Sequence, residues 1–236
     1  MFKFFDMEKI KLLLVDDNKD YAYVVERSLK VKGVYDICIA YNGKEGLELY
    51  RSFKPDIIVT DIEMPIMNGN KMVRIIREND TSTPVFFLTS HKEPEEHLAG
   101  MEAGADFYIL KLISVDALDI QIRKYLERIS NKPLPVKGID ECSIGSFGFS
   151  ASNKYLLRNG KRTNLTFMEA KILNLLVAKK GGLVLKEEIL NNFNDIQIMM
   201  SPRTLDVHMR NVRKKLIEDP SVKIVTSRKE GYILED

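Results

Sequence analysis

Short apolar runs alternate with longer amphipathic stretches through the first 130 residues. Five runs have the length and the β-branched or aromatic content of buried strands: 12–15, 35–39, 56–60, 85–88 and 107–110. Between and after them, apolar residues recur three and four positions apart, which predicts helices over 19–32, 43–53, 70–78, 95–103 and 114–130. Strands that alternate with helices form parallel sheets, so we expect a doubly wound α/β domain with a five-stranded parallel sheet.

The patterning divides the chain into two domains. A length of 236 residues is enough for two domains of ordinary size. The stretch SNKPLPVKG, residues 130–138, combines two prolines with polar residues and breaks the last predicted helix. We therefore predict one domain over 1–131, a linker over 132–138 and a second domain over 139–236.

The second domain has a different order of elements. Short alternating runs over 142–163 predict a small antiparallel sheet, with Asn159 and Gly160 in a hairpin turn. Three helices follow, and Thr166 with Glu169 forms a capping box at the start of the first. These helices are predicted over 167–180, 186–193 and 203–218. A terminal two-stranded hairpin completes a smaller α+β winged helix-turn-helix domain.

Composition and charge exclude several classes of protein. With 44% hydrophobic and 30% charged residues, the chain is typical of globular proteins and not of disordered ones. Two distant cysteines make neither a disulfide framework nor a zinc site, and charged residues interrupt the apolar N-terminal stretch. A cytoplasmic protein without a membrane span is expected. The net charge is −3 over residues 1–132 and +5 over 133–236, which favours a polyanionic partner for the second domain.

Reactive side chains follow the predicted strands of the first domain at their carboxyl ends. Asp16 and Asp17 follow the first strand, Asp61 the third, Thr89 the fourth and Lys111 the fifth. In an open α/β sheet these ends meet along one edge. Clustered carboxylates repel one another, so they indicate a divalent cation, and Mg²⁺ suits oxygen ligands. The lysine and the threonine suit phosphoryl oxygens, which leaves one aspartate as the nucleophile.

The first domain resembles the receiver domain of bacterial response regulators across residues 8–131. The matching segments are LLLVDD, PDIIVTDIEMPIMNG, PVFFLTS and AGADFYILK. The resemblance implies that a sensor histidine kinase phosphorylates Asp61, that Thr89 and Lys111 contact the phosphoryl group, and that Thr89 and Tyr108 form a switch. The implied magnesium ligands are Asp16, Asp17, Asp61 and the carbonyl of Glu63. For Tyr108, simple packing explains the residue equally well.

The third helix of the second domain carries an apolar stripe and a basic face. Leu205, Met209, Val212 and Leu216 recur at helical spacing and are predicted to be buried. The opposite face suits the major groove of DNA, with Arg210 and Asn211 as candidates for reading bases. Further DNA contacts are predicted at Arg203, Thr204, Val207, His208, Arg213 and Lys214. His208 is equally compatible with a packed histidine.

The second domain resembles the winged-helix effector domain of the OmpR/PhoB group of response regulators. The segments LTFMEAKILNLL, SPRTLDVHMRNVRKKL and IVTSRKEGYIL carry the resemblance. It implies a homodimer on promoter DNA, with Arg228 in the minor groove and Lys229 adding charge to the wing. The loop 194–201, with Met199 and Met200, then meets RNA polymerase or, on the alternative reading, packs onto the helices.

Two departures from the family pattern affect the first domain. Leu112 follows Lys111 where the family usually has a cis-proline, and a cis bond to another residue costs about 2.5 to 4 kcal/mol, so the bond is either strained or trans. Phe107 replaces an acid of the usual receiver dimer interface, while Asp106 and Arg123 remain. We therefore expect a more apolar dimer face, built on Asp106, Phe107 and Arg123, that depends less on phosphorylation.

Three functions compete at this point. The sequence favours a phosphorylation-controlled, dimeric transcription factor that is not an enzyme. A phosphatase or phosphotransferase with an aspartyl-phosphate intermediate is the second possibility, although such enzymes often use Asp-x-Asp and this chain has Asp61-Ile62-Glu63. The third is a phosphorylation-independent DNA-binding regulator, which Leu112 and Phe107 favour.

Overall fold

The computed structural model describes residues 9–90, 99–100, 102–131, 141–194, 202–227 and 230–236. Within these ranges the side chains of residues 89, 128–131, 141, 194 and 203 are not described. The chain falls into two compact units, residues 1–123 and 124–236. The division lies inside the last helix of the first half, upstream of the predicted linker 132–138, which is outside the described residues.

The first unit contains a five-stranded parallel sheet in the order β2-β1-β3-β4-β5. The strands are β1 (Ile10–Val15), β2 (Tyr35–Ala40), β3 (Ile57–Thr60), β4 (Val85–Thr89) and β5 (Phe107–Leu110). The helices are α1 (Lys19–Lys30), α2 (Gly43–Phe53), α3 (Gly69–Arg77) and α4 (Val115–Asn131), the last of which continues into the second unit. The predicted α/β fold is confirmed. Of the predicted helix 95–103, residues 99, 100, 102 and 103 are helical, and the others lie outside the described residues.

Burial and capping explain why these segments fold as they do. Residues 12–15 of β1 and all of β3 are buried, as expected of central strands that are covered on both faces. Helix α1 buries Ala22, Val25 and Leu29 on one face. An asparagine caps each of α1, α2 and α3 by accepting a backbone N–H with its side chain. The caps of α1 and α2 start these helices directly after the carboxyl ends of β1 and β2, whereas α3 starts further along the chain from β3.

In its described residues, the second unit combines the end of α4 with two antiparallel sheets and three further helices. One sheet contains β6 (Glu141–Ile144), β7 (Phe147–Ser150), β8 (Tyr155–Arg158) and β9 (Lys161–Asn164) in sequence order. The helices are α5 (Phe167–Ala178), α6 (Lys186–Asn194) and α7 (Pro202–Leu216). The other sheet has the order β10-β12-β11, from β10 (Val184–Leu185), β11 (Lys223–Ser227) and β12 (Gly231–Glu235). The predicted terminal hairpin therefore gains a third strand, which was missed because two residues carry no periodicity.

Helix α7 lies among several partners in the second unit. It contacts α5, α6 and β11, so the unit surrounds much of its circumference. Lys215 of α7 donates hydrogen bonds to the Asn164 carbonyl and to Glu169, at 2.9 and 2.5 Å. Through Glu169 this lysine joins α7 to the capping box of α5. Within the described ranges, no helix is both long and apolar enough to cross a membrane.

Candidate functional site

Three carboxylates meet at the carboxyl edge of the parallel sheet. Strands β1 and β3 are neighbours in register, with Val15 opposite Thr60, so the residues that follow them come together. One carboxylate oxygen from each of Asp16, Asp17 and Asp61 lies within 4.8 Å of the others. Asp16 is 1% exposed and Asp61 is 8% exposed, whereas Asp17 is open to solvent. The structure thus brings together the three predicted acidic residues.

Lys111 joins two of these carboxylates. It directly follows β5, and its Nζ lies 2.6 Å from Asp16 Oδ2 and 2.6 Å from Asp61 Oδ2. The described part of the chain contains no cis peptide bond, so the bond from Lys111 to Leu112 is trans. The lysine therefore reaches the pocket without the cis bond that is usual in the family.

The backbone around Asp61 fixes the direction of its carboxylate. Its Oδ1 accepts a hydrogen bond of 2.6 Å from the N–H of Ile62, and its own N–H donates to the Val15 carbonyl. Gly69 opens α3 directly against this strand end, where a Cβ would lie 2.1 Å from the Asp61 carbonyl oxygen. A side chain at residue 69 would therefore displace either α3 or the strand end that carries Asp61.

Burial and charge shift the pKa values of two pocket residues. Burial raises the pKa of Asp16, and the negative charge of Asp61 adds to the rise, against the opposing hydrogen bonds from Lys111 and from the N–H of Asn18. Burial alone lowers the pKa of Lys111, but its hydrogen bonds to Asp16 and Asp61 outweigh that effect, so the pKa is raised. The lysine is therefore a permanent positive charge at neutral pH.

The donor set fits magnesium. Lys111 pairs with two of the three carboxylates, so the cluster keeps a net negative charge at the strand ends, and carboxylate oxygens are the ligands that Mg²⁺ prefers. The side chain of Glu63 is exposed, and its predicted role uses the backbone carbonyl instead. Asp16, Asp17 and Asp61 are therefore the side chains that would hold the ion.

The two predicted switch residues lie on neighbouring strands. Thr89 ends β4 with its backbone opposite Leu110, and its side chain is outside the described part of the structure. Tyr108 lies in β5 opposite Phe87 and is half-buried. Their switch role stays a prediction.

Sequence reasoning missed one aromatic residue at the pocket. The Nζ of Lys111 lies 4.8 Å from the centroid of the Tyr21 ring, close enough for a cation–π contact. The only sequence signal was local, since Asn18 precedes an amphipathic run and so predicts the helix start that carries Tyr21. The contact itself depends on how β5 and α1 come together in the fold.

The three residues predicted for a receiver dimer interface are engaged inside the first unit. Asp106 is buried, pairs with Arg77 at 3.1 Å and accepts the Val85 N–H. Phe107 is 4% exposed and packs edge-on against Phe86, so it does not supply the expected apolar face. Arg123 is half-exposed and donates to both Asp119 oxygens on α4. The expectation for Phe107 fails because the β5 position that carries it points into the core.

Helix α7 buries more of its predicted DNA-contacting face than expected. Thr204 is buried, Val207 is 0% exposed and His208 is 2% exposed, so these three predictions are corrected: the structure does not present these side chains on the helix surface expected to meet DNA. The reason is that α5, α6 and β11 all pack on α7, and three partners cover a wider arc than one apolar stripe. For His208, the packed alternative is the one that the structure supports.

A basic strip of α7 stays accessible. Arg210 and Lys214 are exposed, and Asn211 is half-buried beside them. Arg213 lies on the same side, but its guanidinium donates to the Ile224 carbonyl and to Thr226 Oγ1 of β11. Arg210, Arg213 and Lys214 border a groove between α7 and β11 that also includes Lys223.

Three further predicted DNA contacts cannot be placed. The side chain of Arg203 and the whole of Arg228 and Lys229 lie outside the described residues. The loop residues Met199 and Met200 are outside them as well.

Comparison with known proteins gives two family matches in chain order. Residues 12–123 match the response regulator receiver domain, and residues 160–234 match the C-terminal domain of transcriptional regulatory proteins. A protein named "Probable transcriptional regulator ycf27" from Porphyridium aerugineum is 32% identical over 237 residues, covering 97% of either chain. The transcriptional regulatory protein TrcR of Mycobacterium tuberculosis is 28% identical over 97% of this chain and 88% of its own. A solved RitR mutant shares the fold, with a TM-score of 0.72 at 17% identity over 96% of this chain and 99% of its own.

Proposed function

The chain belongs to the response regulators that join a receiver domain to an OmpR/PhoB-type DNA-binding domain, a family of transcriptional regulators, and we propose that phosphorylation of Asp61 controls its binding to promoter DNA. The observation that carries the proposal is the buried Asp61 carboxylate, held 2.6 Å from Lys111 beside two further acids. In this proposal the protein acts in the cytoplasm, and a sensor histidine kinase is the phosphoryl donor. The protein performs regulation and not substrate turnover.

The pocket has the parts that phosphoryl transfer needs. An Asp61 oxygen attacks the phosphorus of a phosphohistidine that is protonated at its other ring nitrogen. The bond from phosphorus to nitrogen breaks, and the electron pair stays on the ring, which leaves as neutral imidazole. The Lys111 ammonium faces the charge on the phosphoryl oxygens. Magnesium bound by Asp16, Asp17 and Asp61 would neutralise further charge in the same step. In the proposal, Thr89 and Tyr108 then respond to the acyl phosphate as the two-state switch.

The exposed strip of α7 is the proposed DNA-reading surface. Arg210 and Asn211 suit the guanine and adenine edges of the major groove, and Lys214 suits a phosphate. Arg203, Arg228 and Lys229 belong to the proposal on the family resemblance alone. Arg213 supports the surface indirectly, because its hydrogen bonds hold β11 against α7.

A homodimer on two half-sites about one helical turn apart completes the proposal. Of the three residues predicted for its interface, Arg123 alone has a partly exposed side chain. The dimer face must therefore use residues other than Asp106 and Phe107. A contact between the loop 194–201 and RNA polymerase is proposed from the family resemblance.

The direct test is to phosphorylate the protein with acetyl phosphate and Mg²⁺ and to measure the adduct by intact mass. We expect one phosphoryl group per chain, removed by hydroxylamine as an acyl phosphate should be. DNA affinity should change by about 5- to 150-fold, the usual range of coupling between two sites. Asp61→Asn should abolish both effects, and Asp36→Asn, an exposed acid on β2, is the matched control that should retain them.

Each alternative predicts a different result in this experiment. Release of phosphate for many turnovers per chain would identify a phosphatase or phosphotransferase. A wild-type protein that binds DNA but forms no adduct would identify a phosphorylation-independent regulator and overturn the proposal.

A further inference from the structure

Tyr21 borders the acidic pocket but is not one of the charged residues that form it. It lies in the first turn of α1, is half-buried, and has its ring centroid 4.8 Å from Lys111 Nζ. Tyr23, two positions along the same helix, is exposed, and its ring lies near Arg27 instead. Tyr21 therefore contacts the pocket, whereas Tyr23 contacts Arg27 instead.

Two hydrogen bonds fix the place of Tyr21 relative to Asp16. Asp16 Oδ1 accepts the N–H of Asn18 at 3.0 Å, and Asn18 Oδ1 accepts the N–H of Tyr21 at 3.0 Å. The helix start that carries the ring is thus attached to one of the carboxylates that Lys111 binds. The aromatic ring and the acids form one assembly around the ammonium group.

The Tyr21 ring contacts the Lys111 ammonium on a side that the carboxylates of Asp16 and Asp61 leave open. Lys111 lies 2.6 Å from one oxygen of Asp16 and 2.6 Å from one of Asp61, which occupies two of its three N–H donors. A lysine has a flexible four-carbon stem and loses much rotamer freedom when it is held in one place. An aromatic face attracts the ammonium and limits the positions that it can adopt.

We propose that Tyr21 is a positioning residue that holds the Lys111 ammonium beside Asp61 and thereby accelerates phosphoryl transfer to Asp61. The inference rests on the proposed phosphorylation of Asp61 and assigns the ring a role in its rate. With acetyl phosphate, an Asp61 oxygen attacks the phosphorus, the bond to the acetate oxygen breaks, and the electron pair leaves with acetate. No proton moves in this step, and Lys111 stays protonated throughout.

The test compares first-order rates of phosphorylation by acetyl phosphate at fixed Mg²⁺. Tyr21→Ala should slow the reaction by about three- to ten-fold, the range set by a partly buried cation–π contact. Tyr21→Phe, which keeps the ring, should recover most of the rate. Tyr23→Ala is the matched control and should react like the wild type. Equal rates for Tyr21→Ala and the wild type would overturn the inference.

A double-mutant cycle separates positioning from general structural damage. If Tyr21 acts through Lys111, adding Tyr21→Ala to Lys111→Met should slow the reaction no further than Lys111→Met alone. If the double variant were slowed by the product of the two single rate reductions, the result would contradict the inference. Should Tyr21→Ala fail to fold, Tyr21→Leu takes its place in the same cycle. A wild type that forms no adduct refutes the proposed function instead, so the two failures are distinguishable.

Discussion

At the scale of single residues, the cations that pair with the buried carboxylates of the first unit separate structural acids from the acids of the pocket. Asp106 has Arg77 as its own cation, and Asp119 has Arg123. In the pocket, by contrast, Asp16 and Asp61 share Lys111, and the Asp17 carboxylate lies close to both acids. A buried acid with its own arginine is satisfied within the fold, whereas the shared lysine leaves a negative charge that suits a divalent cation.

Asp119 gives a prediction of pH dependence. It is buried and accepts hydrogen bonds from Tyr35 and Arg123; although burial raises its pKa, these bonds outweigh burial and place the pKa below its ordinary value of 3.8. A depressed pKa stabilises the fold fully above pH 3.8, and that stabilisation is lost as the pH falls further. Asp119→Asn should lower the free energy of unfolding by about 1 to 3 kcal/mol at pH 7. Below about pH 4, the free energies of unfolding of Asp119→Asn and the wild type should become more similar.

Urea unfolding at several pH values measures this effect. The control is Asp116→Asn on the same helix, since Asp116 is exposed and pairs with Lys32 at the surface. It should cost less than about 1 kcal/mol at any pH, as surface pairs do. A difference between the wild type and Asp119→Asn that grows on acidification would contradict the assigned direction of the pKa.

Residue-level prediction from the sequence succeeded where chain topology brings the side chains together. Asp16, Asp61 and Lys111 each follow a strand of one parallel sheet, so their meeting follows once the strands are recognised. Tyr21 and Phe107 depend on side-chain packing between elements. No pattern along the chain indicates which way such a side chain will face its neighbours.

At the scale of secondary-structure elements, the limit of the sequence is clearest in α7. Its apolar stripe was predicted from helical spacing, and Leu205, Met209 and Val212 are indeed buried. The spacing of apolar residues identifies the one helix face that is apolar. It does not reveal how many other elements will pack around the helix. Contacts with α5, α6 and β11 also bury Val207 and His208, which narrows the surface that remains for DNA.

The capping box of α5 supplies a prediction about an element boundary. Thr166 Oγ1 accepts the Glu169 N–H at 3.3 Å, and Glu169 Oε2 accepts the Thr166 N–H at 2.8 Å. Thr166→Ala should therefore lower the free energy of unfolding by about 1 kcal/mol, the usual cost of losing an N-cap. Chemical denaturation measures the loss. Thr163→Ala in β9, at a half-buried site outside the cap, should cost less, and equal losses would refute the role of the cap.

At the scale of the whole molecule, the net charges of the two halves match their proposed roles, which are phosphorylation in the first half and DNA binding in the second. The acidic first half, with net charge −3 over residues 1–132, holds the candidate phosphorylation site. The second half has a net charge of +5 and presents Arg210 and Lys214 on an exposed helix face. DNA affinity should therefore fall with salt, because cationic contacts release counterions from the duplex.

Two residues of the α7 strip should separate sequence reading from general attraction. Asn211→Ala should reduce discrimination at one base pair by about 1 to 3 kcal/mol and leave the salt dependence unchanged, since an amide reads a base edge without releasing ions. Lys214→Ala should weaken specific and random DNA alike and reduce the slope of log affinity against log salt by about one. Binding titrations at several salt concentrations, with Lys44→Ala in the acidic half as the control, measure both effects. If both α7 variants lost affinity equally on specific and random DNA, the strip would act as a uniform cationic surface and not as a reader of bases.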